Sequence, residues 1–553
     1  MFRKSALFAG TASIAWLVAF PATAQTPSLE DRVRAIEQML GVPPAATQNR
    51  SLEERVEAIE NQLRQKPAEE QQNTARINML EMQLQQKEED EQARATRLST
   101  LEQQFADTTW TFDNSRPTIQ SADGRFLMAI RARFQFDSAF FNQSSNINAS
   151  NAQFKDLASG SIMRRAYIGI EGRVFRDFWY EYRMDFGGSN AEGSNPVVNL
   201  ARISWNLGNI AYPAEPHFRI NAGLIQPIFT YDDSVSSSSL TFLERAAPVN
   251  VATSAYGGLE PRRGVELTFQ QADLFYAGDN LVVSAAYTGQ MGTAPGASPD
   301  NTTDEGTQIL GRVAYRVWSD GFSNVQIGGS ASHIVNLTGA ATPGGARTIT
   351  LQDRPELRVD GNRLVSTGAI PATGGNLWGA EFAANLRNFY LTSEYLHYGV
   401  DRNTTCAVGC VDAPNPSFYG WYVQGSWIIT GETKTYQPNA TNNEMATFNN
   451  PRVITPFSWE GRTWGAWEIA ARYSDLNLNW NAGSEGTTCI GPLLGCIRGG
   501  EQKIWTFGLN WYLNNTIRMM FDYMLVDVDK LNSAGQQIGQ NFNAIGVRLQ
   551  FSN

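Results

Sequence analysis

Phe178-Trp179-Tyr180-Glu181-Tyr182-Arg183-Met184-Asp185-Phe186 is the stretch of this 553-residue chain that decides its fold. Its even positions are apolar or aromatic, and after Trp179 its odd positions are charged. This is the period of a strand with one face toward oil and the other toward water. The pattern recurs along the chain, with short connections at one end of the strands and long ones at the other. The sequence therefore predicts an all-β membrane protein, a transmembrane β-barrel.

Sixteen antiparallel strands are predicted, an even number as bacterial barrels require. They cover residues 125–141, 162–174, 177–187, 197–208, 217–226, 263–276, 281–290, 307–318, 323–336, 376–386, 388–399, 417–430, 463–476, 501–513, 516–527 and 541–551. Tight connections alternate with long ones, apart from the segment between Thr430 and Thr463. The short set is expected to face the periplasm. A barrel of this size leaves a water-filled lumen.

The first residues resemble an export signal. Arg3 and Lys4 precede an apolar run from Ala6 to Phe20, and small residues follow at 22–24. We predict a signal peptide over residues 1–24, with the mature chain beginning near Gln25. A retained membrane anchor is the alternative, but the run is shorter than the roughly 20 residues that span a bilayer.

Residues 25–106 have a helical character and contain an internal repeat, Ser28–Leu40 and Ser51–Leu63. Each copy opens with a capping-box pattern, and its large apolar residues are spaced four, three and four apart. Such a narrow seam favours a periplasmic coiled coil, parallel and trimeric if the barrel is a trimer. The alternative is a single amphipathic helix that lies on the barrel or is left disordered. The barrel itself is predicted over residues 107–553.

The four cysteines fall in two close pairs, Cys406 with Cys410 and Cys489 with Cys496. Both pairs lie in segments predicted to be external loops. Two local disulfides are the expected arrangement in an exported chain. A metal site is the alternative, but no histidine lies near either pair.

The cationic residues of the barrel region are almost all arginine, with 28 Arg and four Lys from residue 107 onward. Arginine offers a fixed fork that suits oxyanions. Strand parity points the following arginines into the lumen: Arg125, Arg131, Arg133, Arg165, Arg173, Arg183, Arg202, Arg219, Arg312, Arg316, Arg472, Arg518 and Arg548. Inward acids are fewer: Glu171, Glu181, Asp185, Glu266, Glu381, Glu468 and Asp522. The wall is therefore predicted to be net positive, although some of these charges can simply form ion pairs.

The connection after the fifth strand, about residues 227–262, is far longer than its neighbours. A loop of this length has a function or is disordered. It contains the hydroxyl-rich run Ser234–Ser239 and also Arg245, and it closes on Arg262 and Arg263. We expect it to fold inward, so that these three arginines lie at the constriction. The alternative is a surface loop packed on the rim.

No arrangement of residues typical of an enzyme is found in the sequence. The three histidines lie far apart, and the sequence contains neither a phosphate-cradling glycine loop nor a nucleophile elbow. We expect a protein that is not an enzyme, needs no cofactor or metal and binds no nucleic acid.

Six motifs together carry a family resemblance: Arg164–Gly172, Leu240–Ala246, Arg262–Val265, Gly431–Tyr436, Gly465–Ser474 and Gly508–Tyr512. In this combination, over residues 120–551, the chain resembles the phosphate- and polyphosphate-selective porin family (porin O/P). The resemblance implies a sixteen-stranded outer-membrane barrel, a homotrimer, an inward-folded third loop and passive diffusion of small anions past an arginine ladder. Selective members combine that ladder with lysines near the constriction, whereas Gln226 stands here where the family tends to have one.

Two alternatives to a phosphate-type anion porin stay open. One is a general diffusion porin, in which the inward charges only organise water. The other is a structural tether that joins the outer membrane to peptidoglycan through residues 25–106. The expected partners are further copies of the chain, outer-membrane lipid and lipopolysaccharide, and small anions.

Overall fold

The computed structural model describes residues 28–43, 50–64, 69–106, 108–113, 116–143, 155–175, 177–187, 197–207, 217–257, 261–291, 305–337, 347–403, 414–439, 444–489 and 495–553. The chain divides into two units, Met1–Gln104 and Phe105–Asn553. The predicted signal peptide and the Cys406–Cys410 pair lie outside the described residues. In the described part of the chain, no helix combines the length and the apolar character that a membrane span needs.

The first unit is helical, with α1 at Leu29–Met39, α2 at Leu52–Arg64 and α3 at Glu69–Ala106. The second capping box forms as predicted, because Ser51 Oγ accepts from Glu54 N at 3.3 Å and Ser51 N donates to Glu54 Oε2 at 3.0 Å. Helices α1 and α2 contact each other through a pair between Arg55 Nε and Glu37 Oε1 at 2.8 Å. The hydrogen bond from Arg55 lowers the pKa of Glu37. The coiled coil stays a prediction.

The second unit contains one sheet of nineteen strands. Three are short pieces, Thr108–Asp113, Arg116–Ser121 and Thr348–Ile349, which leaves sixteen antiparallel barrel strands. We number these 1 to 16: Leu127–Gln143, Gly160–Val174, Phe178–Asp185, Val197–Leu207, His217–Ile225, Arg262–Ala272, Asn280–Met291, Thr307–Ser319, Asn324–Asn336, Ile370–Leu386, Phe389–Arg402, Ser417–Ile428, Ala466–Trp480, Ile497–Tyr512, Ile517–Asp529 and Asn541–Ser552. The predicted number of strands is confirmed.

The sheet closes because strand 16 pairs with strand 1, in a register that places Arg548 opposite Asp137. Closure gives every strand of the ring a neighbour on both sides and removes the exposed edges of an open sheet. Strand 3 shows the predicted division of faces. Glu181 and Asp185 are buried on the inner face, whereas Phe178 and Tyr182 are 40% and 41% exposed on the outer face.

Three segments enter the barrel. The first follows strand 5 and contains α4 at Tyr231–Ser234 and α5 at Ala247–Tyr256. The second follows strand 9 and forms the short pair Gln352–Asp353 with Val365–Ser366. The third comes from the end with the short turns, between strands 12 and 13, and forms the hairpin Lys434–Gln437 with Thr447–Pro451. We call these the strand-5 loop, the strand-9 loop and the turn-side hairpin.

The largest apolar cluster lies inside the barrel, where α5 packs against strands 9 to 13. Val249 and Ala252 of α5 belong to the same cluster as the wall residues Leu396 and Tyr398, and Tyr398 Oη donates to Pro248 O of α5 at 2.7 Å. The sequence predicts a lumen filled with water, but one side of it is packed by side chains. The reason is that the entering segments supply apolar residues that face an inward apolar patch of the wall.

The connection between strands 13 and 14 contains the disulfide Cys489–Cys496. The two residues are seven positions apart in the sequence, so the bond closes a small local loop. The prediction of this disulfide is confirmed.

Candidate functional site: the lumen and its inward loop

Side chains of strands 15 and 16 bind the middle of the strand-5 loop inside the barrel. Arg518 Nη1 donates to Leu240 O at 2.7 Å, and Arg548 Nη1 donates to Leu243 O at 2.6 Å. Asp522 Oδ2 accepts from Leu243 N at 2.8 Å. Buried backbone groups must be paired, and here charged side chains of strands 15 and 16 pair them. The loop is therefore fixed across the lumen.

Two glycines of the wall make room for the same loop. A Cβ atom on Gly508 would lie 3.0 Å from Phe242 Cε1, and one on Gly546 would lie 2.9 Å from Leu243 Cδ2. Both distances are shorter than ordinary van der Waals contact. Glycine at these positions lets the apolar part of the loop approach the inner face closely.

Glu244 anchors the loop to two strands at once. Arg164 Nε lies 2.5 Å from Glu244 Oε1, and Arg548 Nη2 lies 3.0 Å from the same oxygen. Burial alone would raise the pKa of Glu244, but the charge and hydrogen bonds of Arg164 outweigh it and hold the pKa well below its usual range.

The alternation of inward and outward residues along strand 2 does not predict that Arg164 faces inward. The register of strands 1 and 2 shifts at Gln135, and this bulge turns Arg164 and Arg165 both inward.

Arg133 lies among hydroxyl groups of the strand-5 loop. Its Nη1 donates to Ser237 Oγ at 2.6 Å and its Nη2 to Ser236 Oγ at 3.0 Å. Its Nε donates to Ser552 Oγ at 3.4 Å. Strand parity suggests a side chain that faces open water, but Arg133 is only 8% exposed because the loop covers it. The serine run and this arginine together form one polar cluster.

A cavity of about 410 Å³ adjoins this cluster on the turn side. Arg131, whose side chain is 23% exposed, contributes a cation to it and lies 3.0 Å from Glu171. Most of the residues that line the cavity are polar, and they include Ser236, Ser238, Ser239, Glu444, Asn449, Asn450, Arg452, Arg518, Gln550 and Ser552.

The other arginines predicted on strands 1 to 5 differ in their partners. Arg165 Nη1 donates to Gln135 Oε1 at 2.8 Å, while Arg202 Nη2 lies 2.8 Å from Glu181 Oε2. Arg183 Nη2 donates to Gln226 Oε1 at 3.0 Å. The arginines of strands 2 to 4 in this set are therefore each bound to a neutral amide or to a carboxylate.

Three further predicted residues lie at the margins of this set. Arg125, before strand 1, is half exposed and lies 3.8 Å from Asp123. Arg173 near the end of strand 2 is partly buried. Arg219 on strand 5 is buried, and its Nη2 contacts Met445 Sδ of the turn-side hairpin at 3.2 Å.

The arginines predicted at the constriction do not form one group. Arg245 is buried within the strand-5 loop, where Nε donates to Asp232 O at 2.8 Å and Nη2 to Val235 O at 2.7 Å. Arg262 is buried at the start of strand 6. Arg263 is half exposed and pairs with Glu305 at 2.9 Å. Arg245 therefore holds the shape of the loop from within.

The turn-side hairpin is part of the lumen, although the alternation of residues along the strands does not predict it. Lys434 Nζ lies 3.0 Å from Glu468 Oε1, and both side chains are buried. Arg312 donates to Met445 O at 3.0 Å and to Ala446 O at 3.0 Å. The one available signal was the long connection between Thr430 and Thr463, at an end of the barrel where every other described connection is short.

A closed barrel of sixteen strands, with a charged inner wall and a loop folded across its lumen, defines the class of bacterial porins. The chain belongs to the family of phosphate-selective porin O and P, whose pattern it matches over residues 128–552.

Relatives and solved structures are similar to the chain at low identity. Porin O of Pseudomonas aeruginosa is 23% identical over 447 residues, which cover 78% of this chain and 90% of that protein. An uncharacterized protein of Caulobacter vibrioides is 22% identical over 373 residues, which cover 68% of this chain and 64% of that protein. The anion-selective porin from Comamonas acidovorans is 11% identical, with a TM-score of 0.43 over 77% of this chain and all (100%) of that one. OmpT of Vibrio cholerae is 10% identical, with a TM-score of 0.42 over 78% and 98% of the two chains.

Proposed function

We propose that the chain is a trimeric outer-membrane porin through which small anions such as phosphate diffuse passively along an arginine-lined path. The proposal rests on Arg133 and the serine hydroxyl groups around it, which we call the Arg133 cluster. Its guanidinium donates to three serine hydroxyls, and within the described residues no carboxylate is bound to it.

A cation surrounded by hydroxyl groups suits a hydrated oxyanion. Hydroxyls rotate to donate or accept, so they can replace water around a passing phosphate as it leaves one guanidinium for the next. Arg131 in the adjoining cavity and Arg183 beside Gln226 are further cations of this region, and each has an acid nearby, with Glu171 3.0 Å from Arg131 and Glu181 3.8 Å from Arg183. Several cations in a narrow polar space concentrate anions and repel cations.

A general diffusion porin is the second candidate, and the ion pairs of the wall favour it. Arg202 pairs with Glu181, and Arg312 pairs with Glu381 at 2.8 Å. Each pair neutralises a cation that would otherwise attract anions. Selectivity for phosphate in particular would then be weak, because a neutral glutamine occupies position 226.

The N-terminal unit is proposed to lie in the periplasm and to assemble as a trimeric coil. Large apolar side chains of its helices are exposed in the single chain, among them Ile36 at 42%, Leu80 at 52% and Leu84 at 60%. Such residues gain from burial against further copies. A contact of residues 25–106 with peptidoglycan would add a structural function. The outward apolar residues of the strands are the surface for outer-membrane lipid and lipopolysaccharide.

The test is the reversal potential of the purified trimer in a planar bilayer under a chloride gradient. Chloride is expected to pass more readily than potassium, and phosphate is expected to block the chloride current at millimolar concentration. A cation-preferring channel would contradict the proposal. A variant without residues 25–106 distinguishes the two functions. If the chain is a pore, the variant keeps its conductance. If the chain is a tether, cells that produce the variant lose envelope integrity.

A further inference from the structure

After the turn-side hairpin, the chain passes over the rim of the barrel at the end with the short turns. Val453 is buried in a small apolar cluster with Ala466 and Tyr512, which face the lumen at the ends of strands 13 and 14. A little further along the chain, Phe457 packs edge-on against Trp511, with the two ring centroids 5.4 Å apart. Trp511 precedes Tyr512 in strand 14 and therefore faces the opposite side, toward the membrane. The chain thus leaves the lumen and reaches the lipid-facing surface.

Hydrogen bonds hold this part of the chain against the barrel, and we call Val453–Gly465 the rim-crossing segment. Trp511 Nε1 donates to Trp464 O at 2.7 Å, and Phe457 N donates to Leu513 O at 2.6 Å. One bond comes from a side chain of the wall and the other goes to the backbone at the end of strand 14. The rim-crossing segment is therefore fixed in position on the outer face.

The tip of the rim-crossing segment is a tight turn. Ser458 and Thr463 are joined by two backbone hydrogen bonds, each 3.1 Å long. Gly461 N donates to Ser458 Oγ at 3.0 Å, while the side chains of Glu460 and Arg462 are exposed. Unpaired backbone groups are costly next to hydrocarbon, so a tip that pairs its own groups can enter the boundary between water and lipid.

The rim-crossing segment also leaves large apolar side chains uncovered. Trp459 is 79% exposed, Ile454 77% and Trp464 57%. Contiguous apolar surface of this kind marks a binding site for protein or membrane. The three side chains adjoin the outward aromatic surface of the strands, where Trp467 stacks on Trp511 with ring centroids 5.0 Å apart. Because that surface faces lipid, lipid is the partner that this position offers.

We propose that the rim-crossing segment is a membrane anchor, which inserts Trp459, Trp464 and Ile454 between the headgroups and acyl chains of phospholipids. Tryptophan favours this depth, since its ring is apolar and its indole N–H can bond to water or to a headgroup. The proposed orientation of the barrel makes this the periplasmic leaflet. The inference goes beyond the proposed function, because it requires a membrane-spanning barrel and not the selective conduction of anions.

The test measures contact between Trp459 and lipid in the protein reconstituted into nanodiscs of phosphatidylethanolamine and phosphatidylglycerol. The lipid carries bromine either near the headgroup or near the methyl end of its acyl chains, and bromine quenches an indole only at short range. Because the chain has 14 Trp, the emission of Trp459 is obtained as the difference between the wild type and Trp459→Phe. Bromine near the headgroup is expected to quench this emission about twofold more than bromine near the methyl end.

Trp480→Phe is the matched control, since Trp480 packs against the apolar cluster inside the barrel and its emission should not be quenched. Equal quenching of the two tryptophans, or no quenching of Trp459, would overturn the proposal. In the second case protein covers the tip, and a change of the Trp459 emission on removal of residues 25–106 would identify the N-terminal unit as that protein.

Trypsin gives a second readout in the same nanodiscs, because Arg462 lies in the tip. Trp459→Ser with Trp464→Ser should withdraw the tip from lipid, so cleavage after Arg462 is expected to become severalfold faster. Trp110→Ser is the control, because Trp110 is also exposed but lies in the short strand Thr108–Asp113. Unchanged cleavage in the double variant would refute the proposal. Heat-modifiable migration checks that the barrel is intact, and the reversal potential should equal that of the wild type, so that a failure here is distinct from a failure of the proposed function.

Discussion

Arg164 of strand 2 and Glu244 of the strand-5 loop bind through two parallel contacts, Nε to Oε1 at 2.5 Å and Nη2 to Oε2 at 3.0 Å. Their side chains are only 6% and 2% exposed. The pair joins the inward loop to the wall and is one of several buried contacts that fix the loop in the lumen.

Glu244→Gln is expected to destabilise the loop, since it leaves Arg164 and Arg548 buried without their shared carboxylate. Breaking a buried pair costs about 3–5 kcal/mol. The midpoint of denaturant unfolding should fall, and single-channel current noise should rise. Glu305→Gln is the matched control, because its partner Arg263 is 44% exposed. Equal behaviour of the two variants would show that the strand-5 loop does not depend on Glu244.

Arg131→Glu together with Arg133→Glu is expected to lower the preference for chloride over potassium sharply. The change replaces two cations beside the polar cavity with two anions, so the local field reverses its sign. Reversal potentials in a salt gradient measure the effect. Arg131→Glu alone is the milder variant, since Arg133 is covered by the serine run and its replacement also breaks hydrogen bonds. Arg387→Glu, on the short turn between strands 10 and 11, is the control and should leave selectivity unchanged.

Gln226→Lys is expected to strengthen block by phosphate about tenfold. The substitution replaces the neutral acceptor of Arg183 with a second cation at the start of the strand-5 loop. Concentration dependence of phosphate block of the chloride current is the measurement. Gln226→Met, which has similar volume and no charge, separates the charge from the lost hydrogen bond. If both variants bind phosphate equally, the charge at this position has no part in selectivity.

The packing of the strand-9 loop against α5 is expected to become less stable as pH rises from about 4 to 6, because the buried Asp353 carboxyl group then ionises away from water. Asn250 Nδ2 donates to Asp353 Oδ2 at 3.1 Å, and burial raises the pKa of Asp353 to about 6. In the unfolded chain the pKa is about 3.9. The folded state therefore binds more protons in this window, and stability is highest below pH 3.9 and is lost as pH rises through 6. Current fluctuations between pH 4 and 7 should increase with pH in the wild type but not in Asp353→Asn.

Peptide mapping under non-reducing conditions should find Cys489–Cys496 as one disulfide and Cys406–Cys410 as the other. The first is present in the structure, and the second stays a prediction. Four free thiols or a crossed pairing would contradict the assignment of both segments to exported loops.

Strand number and faces could be predicted because they depend on a local period of two. Phe178 and Tyr182 face outward and Glu181 inward as the alternation requires. Arg164 could not be placed, because a bulge adds one residue there and reverses the parity of the residues before it, so that Met163 faces outward as Ile168 does after it. The hydrophobicity pattern of the sequence does not predict such a bulge.

Partners across the lumen could not be predicted either. Arg548 and Leu243 are 305 positions apart, and Arg312 and Met445 are 133 apart. The sequence indicated that cations face inward, but not which carbonyl or carboxylate each would bind. Length alone predicts the inward strand-5 loop, whereas the length of the connection between Thr430 and Thr463 does not by itself show that it folds into the lumen.

The strand-5 loop and the turn-side hairpin meet inside the barrel, where Lys434 Nζ lies 3.4 Å from Thr241 Oγ1 and Asn450 Nδ2 donates to Ser238 O at 2.8 Å. These partners are 193 and 212 positions apart in the chain. Both segments are held by side chains of the wall, such as Arg518 at Leu240 O and Arg312 at Met445 O, so their arrangement needs the wall to be in place. We therefore expect the ring of strands to be complete in the membrane before the lumen is filled. The pore would then mature in a slow step inside the water-filled lumen, after insertion into the membrane. This step would be limited by the strand-5 loop and the turn-side hairpin, which enter the barrel from opposite ends.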